Sequence, residues 1–163
     1  MIVTGIDPSS EVFYWATIEA VGGKITYVDS GKANDPREVD FAVDLVVVEK
    51  PGGSLYHKVR YDHLINVSVM AGRVYQEAIN HAKVRTVNAH GNGGWRPGLL
   101  RSGKGRRGKG QEVAELEILL LALVEGLPKR NGRLKGAMNE HNRDALGIAV
   151  WGVLVAPQQG GKL

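Results

Sequence analysis

The chain of 163 residues contains no cysteine, and this excludes disulfide bonds and thiolate metal sites. Any bound metal ion must therefore have carboxylate, imidazole or water ligands, a set that suits Mg²⁺ or Mn²⁺. No apolar run approaches the ~20 residues that span a bilayer. The chain also enters a strand-like segment at once, without a visible signal peptide. We expect a cytoplasmic protein with no membrane partner.

Acidic residues are absent from residues 91–110, where basic residues stand among eight glycines. The basic residues account for more than the whole formal net charge of +4. Such a concentration of positive charge predicts a polyanionic partner. A loop of this length is uncommon in a compact domain and is usually functional, so we assign a basic, glycine-rich loop to about residues 89–110. Its six basic residues are Arg96, Arg101, Lys104, Arg106, Arg107 and Lys109.

The apolar pattern predicts an α/β fold in a single domain, residues 1–163. The predicted strands are Ile2–Ile6, Val12–Ala20, Ile25–Ser30, Leu45–Glu49 and Val84–Val87. The predicted helical segments are a short one within Asn34–Ala42, then Lys58–Ala82, Gln111–Glu125 and Asn139–Val155. Three antiparallel strands followed by two parallel strands, which helices connect, define a mixed five-stranded sheet flanked by helices.

Two carboxylates follow predicted strands at matching positions. Asp7 comes after the β-branched run Ile2–Ile6, and Pro8 ends that strand because proline has no N–H to donate. Glu49 comes at the end of the apolar run Leu45–Val48. Taken singly, the aspartate could cap a turn, and the glutamate could mark the point where a strand leaves the core. If the two strands are parallel neighbours, both side chains emerge at one edge of the sheet.

A third acid and an imidazole come at the start of the last predicted helix. His141 and Asp144 are three residues apart and share a helix face. Small apolar residues follow them, so this end of the helix enters the core, where an unpaired charge is costly. A capping role is the alternative for Asp144, but Asn139 and Glu140 already supply capping groups.

Three carboxylates at one edge of a sheet repel one another unless a cation lies between them. Two divalent ions about 3.5–4 Å apart remove this repulsion and can hold the attacking and leaving oxygens of a phosphodiester displacement. We therefore predict two Mg²⁺ or Mn²⁺ ions per active site and no small-molecule cofactor. The predicted metal ligands, which are also the predicted catalytic residues, are Asp7, Glu49, His141 and Asp144.

Three segments resemble motifs of the RuvC family of Holliday junction resolvases, in the RNase H-like superfamily. They are Gly5-Ile6-Asp7-Pro8-Ser9, Val46-Val47-Val48-Glu49 and His141-x-x-Asp144-Ala-Leu-Gly-Ile-Ala. They occur in the family's order, and the resemblance covers nearly the whole chain. Two acids usually stand at the positions of His141 and Asp144, although some members have histidine at the first. The segment after Asn34 is shorter than the family's first long helix, and the basic loop is similar to that of phage-encoded members.

The resemblance implies an RNase H-like fold and a homodimer that nicks two strands of a four-way DNA junction symmetrically, using Mg²⁺ or Mn²⁺. Such an enzyme acts in DNA recombination and repair, in the host cytoplasm if it is phage-encoded. The long helix predicted at Lys58–Ala82 is our candidate for the dimer interface.

Further residues are candidates for contacts with branched DNA. The six basic residues of the loop can follow backbone phosphates, which gives affinity without sequence information. Tyr56 and Trp95 could stack on bases that are unpaired at a junction, although anchoring in the core is the favoured alternative for Trp95. Lys58, Arg60 and Arg73 could extend the DNA surface along the long helix, or could simply form its solvated face.

Two other functions compete with that of a junction endonuclease. The Gly5–Ser9 segment also resembles the phosphate loop of actin-like ATPases, but those need a second phosphate loop and a longer, two-lobed chain. The other rival is a non-catalytic module that binds branched DNA on the same fold. Intact acids at all three positions argue against it, since a protein that only binds has no reason to keep mutually repelling carboxylates.

Overall fold

The structure of this chain is a computed structural model that describes residues 1–51, 61–91, 93–100, 109–134 and 136–155. Several residues predicted to contact DNA lie outside these ranges, so their contacts stay predictions: Tyr56, Lys58, Arg60, Arg101, Lys104, Arg106 and Arg107. Lys109 is described only as the first residue of a helix.

The described strands form one six-stranded sheet with the order β5-β4-β1-β2-β3-β6. Antiparallel pairing joins β1 to β2 and β2 to β3, whereas β4 and β5 continue the sheet in parallel from β1. This confirms the predicted mixed α/β sheet and its order of antiparallel and parallel strands. The strands are β1 (Ile2–Pro8), β2 (Phe13–Val21), β3 (Lys24–Ala33), β4 (Leu45–Glu49), β5 (Lys83–Val87) and β6 (Val124–Glu125).

Helices cover both faces of the sheet. The described helices are α1 (Tyr61–Ala78), α2 (Trp95–Leu100), α3 (Lys109–Leu123) and α4 (Glu140–Leu154). α1 packs on one face over the apolar side chains of Ile6, Val46 and Val48. The other three helices pack on the opposite face, over a larger core that includes Val3 and Val47. Alternate residues of β1 and β4 therefore point into two different cores, as a strand that is covered on both faces requires.

Glycines let α4 approach the sheet and its neighbours closely. A Cβ atom on Gly5 would collide with the backbone of α4 at Ala145 and Ala149. A Cβ atom on Gly147 would lie 2.7 Å from the ring of Trp95. The absence of both side chains lets α4 lie across β1 and lets α2 dock against α4. This packing sets the position of the first turn of α4 relative to the ends of the strands.

The structure contains one strand and one helix that the sequence patterns did not predict. The prediction of five strands is wrong, because Val124 and Glu125 pair in parallel with Ile25 and Thr26 of β3 and form β6. The prediction of a continuous loop at about residues 89–110 is also wrong, because α2 forms within it.

The observed ends of the helices differ from the predicted ends by only a few residues. α1 ends at Ala78 rather than at Ala82, since the amides of Asn80 and His81 bond three residues back in a tight turn that leads into β5. In the short segment after β3, the helical part is a single 3₁₀ turn, Pro36–Glu38. Among the described residues, no helix is both long and apolar enough to span a membrane.

Candidate active site

Asp7 and Glu49 lie at the same edge of the sheet because β1 and β4 are parallel neighbours. Ile6 is paired with Val48 in the sheet register, so the next residue of each strand is one of the two acids. The side chain of Asp7 is only 12% exposed. The prediction that the two strands bring both carboxylates to one edge is therefore correct in its geometry.

The first turn of α4 brings His141 and Asp144 to this edge. The side chain of Asn139 caps the helix by accepting a hydrogen bond from the amide of Asn142. The amide group of Asn142 donates to the carbonyl oxygens of Trp15, at 3.2 Å, and of Gly31, at 2.7 Å. The helix start is thus tied to β2 and β3, which leaves His141 and Asp144 beside the ends of β1 and β4.

His141 pairs with Asp7 and stacks on Tyr14. Its Nδ1 donates to Asp7 Oδ2 at 2.8 Å, and the ring lies 4.6 Å from that of Tyr14 with an angle of 16° between the planes. The hydrogen bond to Asp7 raises the pKa of His141, against the opposing effect of burial. The side chain remains 53% exposed, so the imidazole is fixed in position and still open to solvent.

Glu49 is partly buried beneath α2. Its Oε2 accepts a hydrogen bond of 2.6 Å from the indole Nε1 of Trp95. The pKa of Glu49 is raised to about 7, chiefly by burial and in part by the charges of Asp7 and Asp144, while the bond from Trp95 and the charge of Arg96 oppose the rise. Glu49 therefore lies near its titration midpoint at neutral pH in the metal-free protein.

Asp144 forms an ion pair with Arg96. The guanidinium Nη2 donates to Asp144 Oδ2 at 2.6 Å, and the two side chains are only 16% and 13% exposed. Burial raises the pKa of Asp144 to about 6, because it outweighs the lowering effect of Arg96, and the charge of Asp7 adds to the rise. The three acids thus act on one another electrostatically and form one cluster.

The donor groups of this cluster suit a hard divalent cation, since carboxylate oxygens predominate and one imidazole joins them. Asp7, Glu49, His141 and Asp144 are the side chains that would hold it. Within the described part of the chain, no three acids or histidines already converge in metal-binding geometry. Instead, Trp95 and Arg96 hold one oxygen each of Glu49 and Asp144.

Two candidate DNA contacts, Trp95 and Arg96, lie inside the protein. The stacking role suggested for Trp95 needs correction, and the favoured alternative, anchoring in the core, is what the structure has, because the ring is 0% exposed between Glu49 and α4. The prediction that Arg96 lies on the DNA surface needs correction too, since its guanidinium is turned inward to Asp144. Arg73 is exposed on α1, and its charge acts on Asp35, which follows β3.

The sequence patterns missed Tyr14 and the true position of Arg96. Tyr14 is paired with Asp7 in the β1–β2 register, so a correct alignment of that hairpin would have placed it at the site. The sequence offers less indication that Arg96 turns inward. Its own segment has no acid, so any carboxylate partner had to come from elsewhere in the chain.

Comparison with solved structures shows an RNase H-like fold. RuvC of Thermus thermophilus is 17% identical, with 99% of each chain covered and a TM-score of 0.62. T. thermophilus RuvC in complex with Holliday junction substrate is 16% identical, over 99% of this chain and 98% of that one, with a TM-score of 0.70.

A viral protein has a similar fold. The fowlpox virus resolvase in its complex with substrate Holliday junction DNA is 11% identical, over 92% of this chain and 95% of the other, with a TM-score of 0.54. No family model matches the sequence, and no curated protein does. The chain therefore has the fold of these resolvases, which confirms the RNase H-like architecture that the three motifs implied.

Proposed function

We propose that this chain is a metal-dependent endonuclease that resolves four-way DNA junctions by paired, symmetric nicks. The observation that carries the proposal is the meeting of Asp7, Glu49, His141 and Asp144 at one edge of the sheet. The fold supports it, because two of the similar structures are complexes with Holliday junction DNA.

Each residue of the cluster has a distinct part in this proposal. Asp7 lies between the other groups, since its charge acts on both Glu49 and Asp144 and its Oδ2 contacts His141. The three acids would hold two Mg²⁺ or Mn²⁺ ions, which supply the charge that activates water and stabilises the leaving oxygen. His141 keeps an exposed edge through which it can exchange a proton with solvent or complete a ligand set.

The proposed partners are branched DNA and a second copy of the chain. Symmetric nicks need two active sites related by a two-fold axis, and each chain carries one. The basic segment after α2 would contribute phosphate contacts that position the junction without reading its sequence. We propose that the protein acts in the cytoplasm, that of a host cell if the chain is phage-encoded.

The proposal is tested with a synthetic four-way junction and a linear duplex of matched sequence. With Mg²⁺ or Mn²⁺ we expect paired nicks in the junction and little cutting of the duplex on a denaturing gel. Asp7→Asn keeps the shape of the side chain but removes its charge. Loss of a group that only orients a metal ligand costs about 10–100-fold, so loss of the charge on a ligand itself should cost at least about 100-fold.

Binding measurements separate an enzyme from a binding module. Asp7→Asn should bind the junction with nearly wild-type affinity, because the basic residues are unchanged. Junction binding by wild type without any cleavage, at several metal concentrations, would favour the non-catalytic module instead. Equal cutting of junction and duplex would rule out selectivity for branched structure.

A further inference from the structure

Arg96 places a positive charge inside the acid cluster. Its Nη2 lies 2.6 Å from Asp144 Oδ2, and both side chains are largely withdrawn from water. Its charge also stabilises the ionised form of Glu49. A cation that reaches two of the three acids does there what a bound metal ion would do, since it offsets their mutual repulsion.

We propose that Arg96 is an internal counter-ion that competes with the divalent cation for Asp144, so that metal binding displaces the guanidinium from the site. The inference rests on the proposed metal dependence of the cluster and does not depend on the DNA substrate. Both cations need the same carboxylate, and two positive charges this close repel one another. Arg96 therefore stabilises the metal-free protein and opposes metal binding.

Not every N–H group of the Arg96 guanidinium has a hydrogen-bond partner among the described residues. A guanidinium has five N–H donors, yet Arg96 Nε is buried and has no hydrogen-bond partner among the described residues. Buried polar groups are generally hydrogen-bonded, so an exception calls for an explanation. Here the charge of the acids, rather than a full set of hydrogen bonds, holds the side chain in place. Such a contact can be given up once a divalent ion neutralises the acids.

Trp95 supplies a platform for the displaced side chain. The guanidinium carbon of Arg96 lies 4.5 Å from the centre of the indole ring. That ring is fixed by its bond to Glu49 and by packing against Gly147 of α4. A cation within about 6 Å of the centre of an aromatic ring is attracted to its face. This contact does not involve Asp144, so it can hold Arg96 at the edge of the site when the ion pair is given up.

The test is a calorimetric titration of Mn²⁺ into wild type, Arg96→Gln and a control, Arg37→Gln, without DNA. Glutamine removes the charge and keeps a polar side chain. Coupling between two sites is typically about 5- to 150-fold in affinity, so Arg96→Gln should bind Mn²⁺ more tightly than wild type within this range. Arg37 pairs with Asp35 and its side chain is 77% exposed, so its substitution should leave the affinity unchanged.

Melting curves give a second readout that does not depend on activity. In EDTA, Arg96→Gln should melt below wild type, because Asp144 loses its partner in a buried position. Saturating Mn²⁺ should raise its melting temperature more than that of wild type. If the glutamine variant does not fold, Arg96→Met takes its place. Methionine also removes the charge, and the Mn²⁺ affinity of this variant should likewise exceed that of wild type.

Three results would overturn the proposal. They are equal Mn²⁺ affinity in wild type and the Arg96 variant, weaker binding by the variant, and no Mn²⁺ binding by either protein. The outcome is separable from that of the junction assay. If Arg96→Gln binds Mn²⁺ more tightly than wild type but wild type cuts no junction, the competition is supported and the nuclease proposal is wrong. If wild type cuts the junction but Arg96→Gln binds Mn²⁺ with wild-type affinity, the nuclease proposal is supported and the competition is ruled out.

Discussion

The raised pKa of Glu49 follows from its position at the end of β4. β4 is apolar throughout and is covered on both faces by helices, so the glutamate at its end emerges among buried side chains. Only the indole of Trp95 is described as a direct donor to it. A carboxyl group in such a place resists ionisation, and this is why a divalent ion at the site would stabilise the protein.

The pKa shifts predict how stability depends on pH in the metal-free protein. Burial raises the pKa of Glu49 from 4.5 to about 7 and that of Asp144 from 3.8 to about 6. The native state then binds protons more tightly than the unfolded state. The free energy of unfolding should therefore fall as pH rises between about 4 and about 7. The raised pKa of His141 acts in the same direction, because its favourable pairing is lost as the imidazole deprotonates.

The measurement is a series of denaturant titrations in EDTA between pH 5 and pH 8. One pKa unit corresponds to about 1.4 kcal/mol, so wild type should lose a few kcal/mol over this range. Glu49→Gln should lose distinctly less, whereas Glu19→Gln, an exposed change on β2, should follow wild type. If the free energy of unfolding changed with pH in the same way in wild type and Glu49→Gln, the folded protein would not raise the pKa of Glu49.

Single residues could be predicted from sequence where their position on an element decided their surroundings. Asp7, Glu49, His141 and Asp144 follow from strand ends and helix periodicity, and the structure brings them to one edge. Arg96 does not follow from them. Its neighbours in sequence are glycine, tryptophan and proline, which indicate a loop. The acid that draws it inward lies 48 residues away along the chain.

At the scale of elements, the contact between α4 and β1 at Gly5 determines the site. Gly5→Ala would force a methyl group into the backbone of α4 at Ala145 and Ala149. Overpacking of this kind costs roughly 1–3 kcal/mol, and it would shift His141 and Asp144 relative to Asp7. We expect a lower melting temperature together with weaker Mn²⁺ binding.

Gly72→Ala is the matched control for this change. Gly72 lies in α1, and a Cβ atom there meets nothing within 4 Å. Replacement of glycine by alanine inside a helix stabilises by roughly 0.5–1 kcal/mol. The control should therefore melt slightly higher and bind Mn²⁺ as wild type does. Wild-type Mn²⁺ affinity in Gly5→Ala would show that α4 can move without disturbing the acids.

Elements with a clear apolar pattern or a capping signal were predictable, and elements without one were not. β4 and α4 match their predicted ranges to within a residue at each end, because an apolar run and a capped amphipathic start are strong signals. β6 has two residues, which is too few for any period. α2 has six residues among glycines and a proline, so only its packing against α3 and α4 makes it a helix.

At the scale of the whole molecule, the two faces of the sheet carry different kinds of helix surface. The face with α2, α3 and α4 holds the larger core and the acid cluster. On the other face α1 is the one α-helix among the described residues, and some of its apolar side chains are exposed to solvent. These exposed residues are Ile65, at 57%, and Val69, at 56%, and Ile79, directly after the helix, is 48% exposed. Sequence periodicity predicted the helix but could not say which apolar residues would stay uncovered.

We expect α1 to form the interface of a homodimer through this uncovered surface. Ile65 and Val69 are four residues apart and lie on one side of the helix. Wild type should be a dimer by light scattering, and the double substitution Ile65→Glu with Val69→Glu should give a folded monomer. The acid cluster lies at the ends of β1 and β4, so Mn²⁺ affinity should not change. Junction cleavage should become a mixture of single, unpaired nicks.

Ile118→Glu provides the control for exposed apolar surface in general. Ile118 lies on α3, on the other face of the sheet, and is 67% exposed. A charge there should leave the dimer and the paired nicks intact, because only the surface of α1 is expected to be shared. Loss of the dimer in Ile118→Glu but not in the α1 variant would place the interface on α3. A wild-type protein that stays monomeric both free and on junction DNA would contradict the dimer itself, and symmetric resolution by one chain would then need two separate binding events.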